Sequence, residues 1–178
     1  MTAIWYEVLP VTLLAGHAVL IRHHREEHIA PWMIQNLPNV HPNDLVVNHL
    51  LAFFDDVFDP KQTIVHSTSW RYEHSDDRLL LTYLAVLPQG DWLKGWMATR
   101  RIFIAPVGTG EILCGNHLFP PERIEQPHVV AHALDHLASL YTYDPAIQAV
   151  LEPAWQEILG ARVPKPAGYL LPALEMSR

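Results

Sequence analysis

DLVVNHLLAFFDDVFDPKQTIVHSTSWRYEHSDDRLLLTYLAVLP, residues 44–88, passes through three hydrophobic rhythms in succession. Leu45, Val46, His49, Leu50, Phe53, Phe54 and Val57 recur at helical spacing, so residues 44–57 are expected to form a helix with one stripe facing a core. Asn43 is the expected N-cap, and Asp44 places a carboxylate in the first turn, where it complements the helix dipole. Asp59-Pro60 ends the pattern. Residues 63–72 then alternate, with Ile64, His66, Thr68, Trp70 and Tyr72 on one side and Thr63, Val65, Ser67, Ser69 and Arg71 on the other. After the polar turn at 74–77, residues 78–87 are almost continuously apolar, as in a central strand covered on both faces.

This order of amphipathic helix, loop, strand, turn and strand resembles the middle of a Nudix hydrolase. In that family a helix carrying R-E-x-x-E-E binds the metal and leads into a hairpin. Laid on that motif, the Arg-Glu pair falls on Asn48 and His49, and the two metal-binding glutamates fall on Ala52 and Phe53. Mg²⁺ requires hard oxygen ligands, which an alanine and a phenylalanine cannot supply. The resemblance implies an α/β (α+β) fold, with a mixed, largely antiparallel sheet sandwiched between helices. It implies no Nudix catalysis.

Working outward, residues 3–9 (AIWYEVL) have strand composition closed by Pro10, and Ala18 to Arg22 read as a second strand. Pro31, Pro38 and Pro42 punctuate a loop around Trp32, a tryptophan of the kind that covers something. Residues 101–107 are expected to return as a strand. Pro127 opens a helix through Tyr141 whose buried face is Val129, Val130, Ala133, Leu134, Leu137 and Leu140. A further helix over 145–159 is interrupted at Pro153. Residues 162–178, with Pro164, Pro166 and Pro172, are expected to form an extended tail of a single domain spanning 1–178.

Composition narrows the function classes. Of the 178 residues, 49% are hydrophobic and 17% charged, enough for a packed interior. The formal charge of −7 argues against a general nucleic-acid binder, which needs a basic face to displace counterions. Cys114 is the only cysteine, which excludes an intrachain disulfide and a cysteine-rich metal site. Val8 to Ile21 lacks a preceding Lys or Arg and is interrupted by Pro10 and His17, so it reads poorly as a signal peptide or a membrane span. The expectation is a cytoplasmic protein with no membrane partner.

Twelve histidines supply the candidate metal chemistry. His128, His132 and His136 recur every four residues and drift only about 40° per step around a helix, with Asp135 beside them. A His pair at i,i+4 is the spacing of helical zinc sites, so a divalent transition metal such as zinc is the candidate cofactor. Three such residues span about 12 Å along the axis, so an adjacent pair would need a ligand from elsewhere, such as His117 or Glu125. The competing reading is the polar face of a surface helix. His24, Glu27 and His28 match H-x-x-E-H, although the flanking Arg22 and Arg25 make a solvated charged turn the simpler account.

Trp70, Arg71 and Tyr72 are the candidate ligand-binding residues, two aromatic platforms around a guanidinium that could hold an anion. Cross-strand packing with a solvated Arg71 is the plainer alternative. No G-x-S-x-G elbow accompanies Ser67 or Ser69, and Cys114 beside His117 has the look of buried filler. Three functions stay open. The first is a non-catalytic Nudix-like module binding a small molecule or regulating a partner. The second is a metal-dependent hydrolase using the helical histidines, and the third is a protein-interaction scaffold, a homodimer included, presenting Trp92, Trp96 and Met97.

Overall fold

The computed structural model describes residues 2–25, 28–30, 32–55, 57–73, 75–99, 102–107, 126–162 and 164. Its strands are β1 (Ala3–Leu14), β2 (His17–Arg25), β3 (His28–Ala30), β4 (Trp32–Gln35), β5 (Ile64–Glu73), β6 (Arg78–Val86) and β7 (Ile102–Pro106). The helices are α1 (Pro42–Phe53), α2 (Trp92–Ala98), α3 (Gln126–Tyr143), α4 (Pro145–Val150) and α5 (Pro153–Gly160). Among the described residues the strands form one mixed sheet in the order β3-β2-β1-β6-β5, with β4 also on β1 and β7 also on β2.

The hairpin expected from residues 64–87 is present. β5 and β6 pair antiparallel from Ile64↔Val86 to Glu73↔Arg78, and β6 lies between β5 and β1 as its continuous apolar run predicts. Strict alternation along β5 does not survive. A bulge between Ser67 and Ser69 inserts Thr68 into the ladder, and its hydroxyl donates to the Thr82 carbonyl over 3.4 Å. One extra residue reverses the faces of everything beyond it. Ser69 and Arg71 therefore share a face with Ile64 and His66, while Trp70 and Tyr72 share the other with Val65.

β1 runs through Pro10 instead of stopping there. Its odd-numbered residues bond β6, shown by Leu87 N–H donating to the Val11 carbonyl, so the even-numbered ones face the opposite edge. That edge is shared: Trp5–Val8 pair with β4, and Val11–Leu14 pair with β2. Pro10 falls in the gap between those two partners, where its missing N–H costs no ladder bond. Ala15 and Gly16, both at positive φ (51° and 78°), make the tight turn into β2, which is longer than the expected Ala18 to Arg22. The expected loop around Trp32 contains the short strand β4.

Helices cover both faces. α1 packs Val46, Leu50 and Phe54 onto Tyr6, Val8, Tyr83 and Ala85, joined by Leu93 of α2. α3 and α5 pack Leu134, Leu137, Trp155 and Leu159 onto Leu9, Val11, Leu84 and Val86 on the other face. α1 is capped by His41, whose Nδ1 accepts from the Asn43 N–H at 3.3 Å, and it stops at Phe53 with Phe54 as C-cap. Pro42, with its preset φ, takes the first helical position, which moves the cap two residues ahead of Asn43. Gly90 admits the indole of Trp92, whose Nε1 donates to the Pro88 carbonyl; a Cβ there would stand 2.7 Å from the ring. Among the described residues no helix is long and apolar enough to cross a membrane. The expected tail beyond Arg162 lies almost wholly outside the described residues, as do Cys114, His117 and Glu125.

Candidate functional site

α1 occupies the position where the resemblance places catalytic carboxylates. Its solvent side carries Asp44, Asn48 and Ala52, all exposed at helical spacing. Phe53 turns the other way into an aromatic cluster, with its ring centroid 4.4 Å from Trp32, 5.0 Å from Phe54 and 5.7 Å from Trp96. Trp32 is 3% exposed and donates its Nε1–H to the Ile21 carbonyl at 2.9 Å, which anchors the cluster to β2. His23 lies against Trp32 at 4.7 Å. His49 meets the same indole edge-on at 6.3 Å. Burial, with a smaller contribution from the charge of His23, holds the His49 imidazole below its ordinary pKa, favouring the neutral ring.

Trp92 and Trp96, expected on an exposed scaffold surface, are half-buried instead. Trp96 stacks on Phe54 with centroids 5.4 Å apart and planes 7° from parallel. The indoles of α2 thus complete the cluster over the end of α1. Hydrophobic burial decides this, since each ring removes far more apolar area from water than any surface role would leave exposed.

Trp70, Arg71 and Tyr72 do not converge. Trp70 is 72% exposed and Tyr72 37%, with the Tyr72 hydroxyl donating to Asp77 Oδ1 at 2.5 Å. Arg71 leaves by the opposite face. Its Nη1 lies 2.7 Å from Glu7 Oε2 and 3.3 Å from Thr82 Oγ1, and the Thr82 hydroxyl donates to the same Glu7 oxygen at 3.2 Å. Burial acts to lower the Arg71 pKa, but the hydrogen bond and charge of Glu7, aided by Glu73, outweigh it and raise it. Glu73 passes the network on to Arg78 at 2.6 Å. Glu7, buried to 3%, was not among the candidate residues; a lone acid inside AIWYEVL was its signal, because a buried carboxylate demands a cationic partner.

On α3, His128 and His132 are half-buried, whereas Asp135, His136 and Ser139 are buried. The polar face of a surface helix is therefore not what forms. β5 and the residues just past α5 cover this side: His66 lies with its ring centroid 5.1 Å from that of His136, and Arg162 Nη1 stands 3.5 Å from Asp135 Oδ1. Asp135 and His136 are thus turned to different elements. Among the described residues no three His, Cys, Asp or Glu side chains group so that they could hold a metal ion. His24 and His28 fall on β2 and β3 of a hairpin, not on the helix that an H-x-x-E-H site uses, and Glu27 lies outside the described residues.

Neither a family profile nor a curated protein sequence matches the chain. Solved structures do. The structure of Shewanella oneidensis NrtR aligns with a TM-score of 0.56 at 10% identity, over 98% of this chain and 82% of its own. The same protein complexed with a 27mer DNA gives 0.57 at 9% identity, over 89% and 76%. A MutT/nudix family protein from Enterococcus faecalis gives 0.55 at 10% identity, over 94% and 77%. The fold is Nudix-like, as the order of elements in residues 44–88 implied.

Proposed function

We propose that this chain is a non-catalytic Nudix-like module that binds a small molecule or regulates a partner without Mg²⁺-dependent hydrolysis. The observation that carries the reading is the placement of Phe53. At the position where the resemblance asks for a metal-binding glutamate, the ring packs between Trp32 and Trp96. Ala52 beside it offers no oxygen, and Mg²⁺ held by only one or two protein carboxylates does not survive the loss of both. A DNA partner, such as the solved complex of NrtR contains, is not part of this reading, because a net charge of −7 opposes binding to a phosphate backbone.

The test is a panel of nucleoside diphosphate-linked compounds incubated with the protein and Mg²⁺, with release of phosphate or nucleotide monitored by chromatography. No turnover above a protein-free control is expected. Robust hydrolysis of any member would overturn the reading and place the catalytic carboxylates elsewhere in the chain.

A further inference from the structure

A cavity of about 330 Å³ opens between the sheet and the α4–α5 unit, with Ile64 and Val86 on the α3 side of the sheet among its lining. Ile64 and Val86, a cross-strand pair, form its floor together with Trp155, which is 1% exposed. Two charged side chains stand among its polar lining. Lys61 rises from the turn after Asp59-Pro60, a turn held by Asp59 Oδ1 accepting from the Lys61 N–H at 2.9 Å and Asp59 Oδ2 accepting from Gln62 Nε2 at 3.0 Å. Its ammonium has no acidic partner among the described residues. Glu152 lines the α4–α5 side, where one carboxylate oxygen accepts from the Gln89 N–H at 3.0 Å and the other keeps its acceptor capacity.

From this arrangement we infer that the cavity is a binding site for a small zwitterionic molecule with an apolar body, an amino-acid-like ligand. Its anionic group pairs with Lys61, its ammonium with Glu152, and its apolar portion covers Trp155, Ile64 and Val86. The volume lies at the lower end of the range for small-molecule pockets, which limits the ligand to a single ring or branched chain. A purely anionic ligand would meet the Glu152 carboxylate, and a purely cationic one would meet Lys61. Only a ligand with both charges complements both residues. The inference rests on the reading of the chain as a binding module, and names where it binds.

L-Phenylalanine is the probe, with phenethylamine and 3-phenylpropionate as single-charge controls, titrated into the full chain and followed by amide chemical shifts. L-Phenylalanine is expected to saturate shifts at Gln62, Val86 and Leu151 and to bind at least about tenfold tighter than either control. Lys61→Glu and Glu152→Lys should each weaken it by about tenfold or more, and the double reversal should recover most of the loss. Ala149→Trp, which fills the cavity from an exposed helical position, should abolish binding with the melting temperature unchanged. Equal affinity for probe and controls, or reversals that bind like the wild type, would overturn the inference. The hydrolysis panel reads α1 and not this cavity: loss of cavity binding without turnover overturns the inference and leaves the non-catalytic reading standing, whereas turnover with cavity binding intact overturns the non-catalytic reading and leaves the cavity as a binding site.

Discussion

Arg71 of β5 reaches over the intervening strand β6 to place its Nη1 2.7 Å from the carboxylate of Glu7 on β1, with the Thr82 hydroxyl of β6 joined to the same oxygen. Three neighbouring strands are thereby tied on one face by a charge pair whose side chains are 16% and 4% exposed. The bulge at Thr68 makes this contact, because without the added residue Arg71 would point to the opposite face.

Arg71→Met is expected to destabilise the protein by about 3–5 kcal/mol, since it strands the Glu7 carboxylate inside the sheet. Glu7→Leu combined with Arg71→Met should recover most of that loss, because the apolar pair no longer has a charge to desolvate. Urea denaturation of the two single variants and the double variant, read as a thermodynamic cycle, measures the coupling. Additive single losses would mean the pair contributes little as a pair.

Phe53 and Ala52 make opposite predictions on one helix. Phe53→Ala should cost about 2–4 kcal/mol, less than a fully buried phenylalanine can, because its ring is half-exposed while touching Trp32, Phe54 and Trp96. Ala52→Glu, on the exposed side, should change stability by no more than about 0.5 kcal/mol. Thermal unfolding that ranked the two substitutions the other way would mean that α1 is rotated about its axis.

His49 ties stability to pH. Its folded pKa lies below the usual histidine value of about 6.5, so at higher pH the ring is neutral in both states and contributes no penalty. As pH falls below about 6.5 the unfolded chain takes up the proton first, and stability drops until the folded pKa is passed. His49→Gln should flatten part of the decline in urea midpoint between pH 7.5 and pH 5 (roughly the interval over which histidine titrates). An unchanged slope would assign the acid sensitivity to other histidines.

Asp135→Ala should lower stability by about 3 kcal/mol, equally with and without a chelator, because it removes the carboxylate 3.5 Å from the Arg162 guanidinium. A loss seen only when metal is present would instead assign Asp135, with His132 and His136, to a zinc site. In that case zinc affinity should also fall below about pH 6.5, as the imidazoles protonate, and be weaker in His132→Ala.

Local rhythm was enough for α1, the β5–β6 hairpin, the central position of β6, and α3, because helical spacing and continuous apolar runs are properties of neighbouring residues. The absence of carboxylates at Ala52 and Phe53 was legible in the same way. The element boundaries were less so. His41 took the cap expected of Asn43 because Pro42 suits the first turn, and β1 continued past Pro10 because two different strands share its edge.

What the chain by itself determined is therefore the identity of the long periodic segments α1, β5, β6 and α3, their Nudix-like order, and the absence of carboxylates at Ala52 and Phe53, whereas β3, β4 and α2 were not legible. Tertiary structure alone decided which side chains meet. The Thr68 bulge reversed the faces of Trp70, Arg71 and Tyr72 together and so delivered Arg71 to Glu7, and the packing of β5 and α5 turned the polar side of α3 into an interior. The reason is physical: strand parity and helix burial depend on partners distant in sequence. One inserted residue or one covering element changes what a side chain faces without altering the local pattern that specifies its strand or helix.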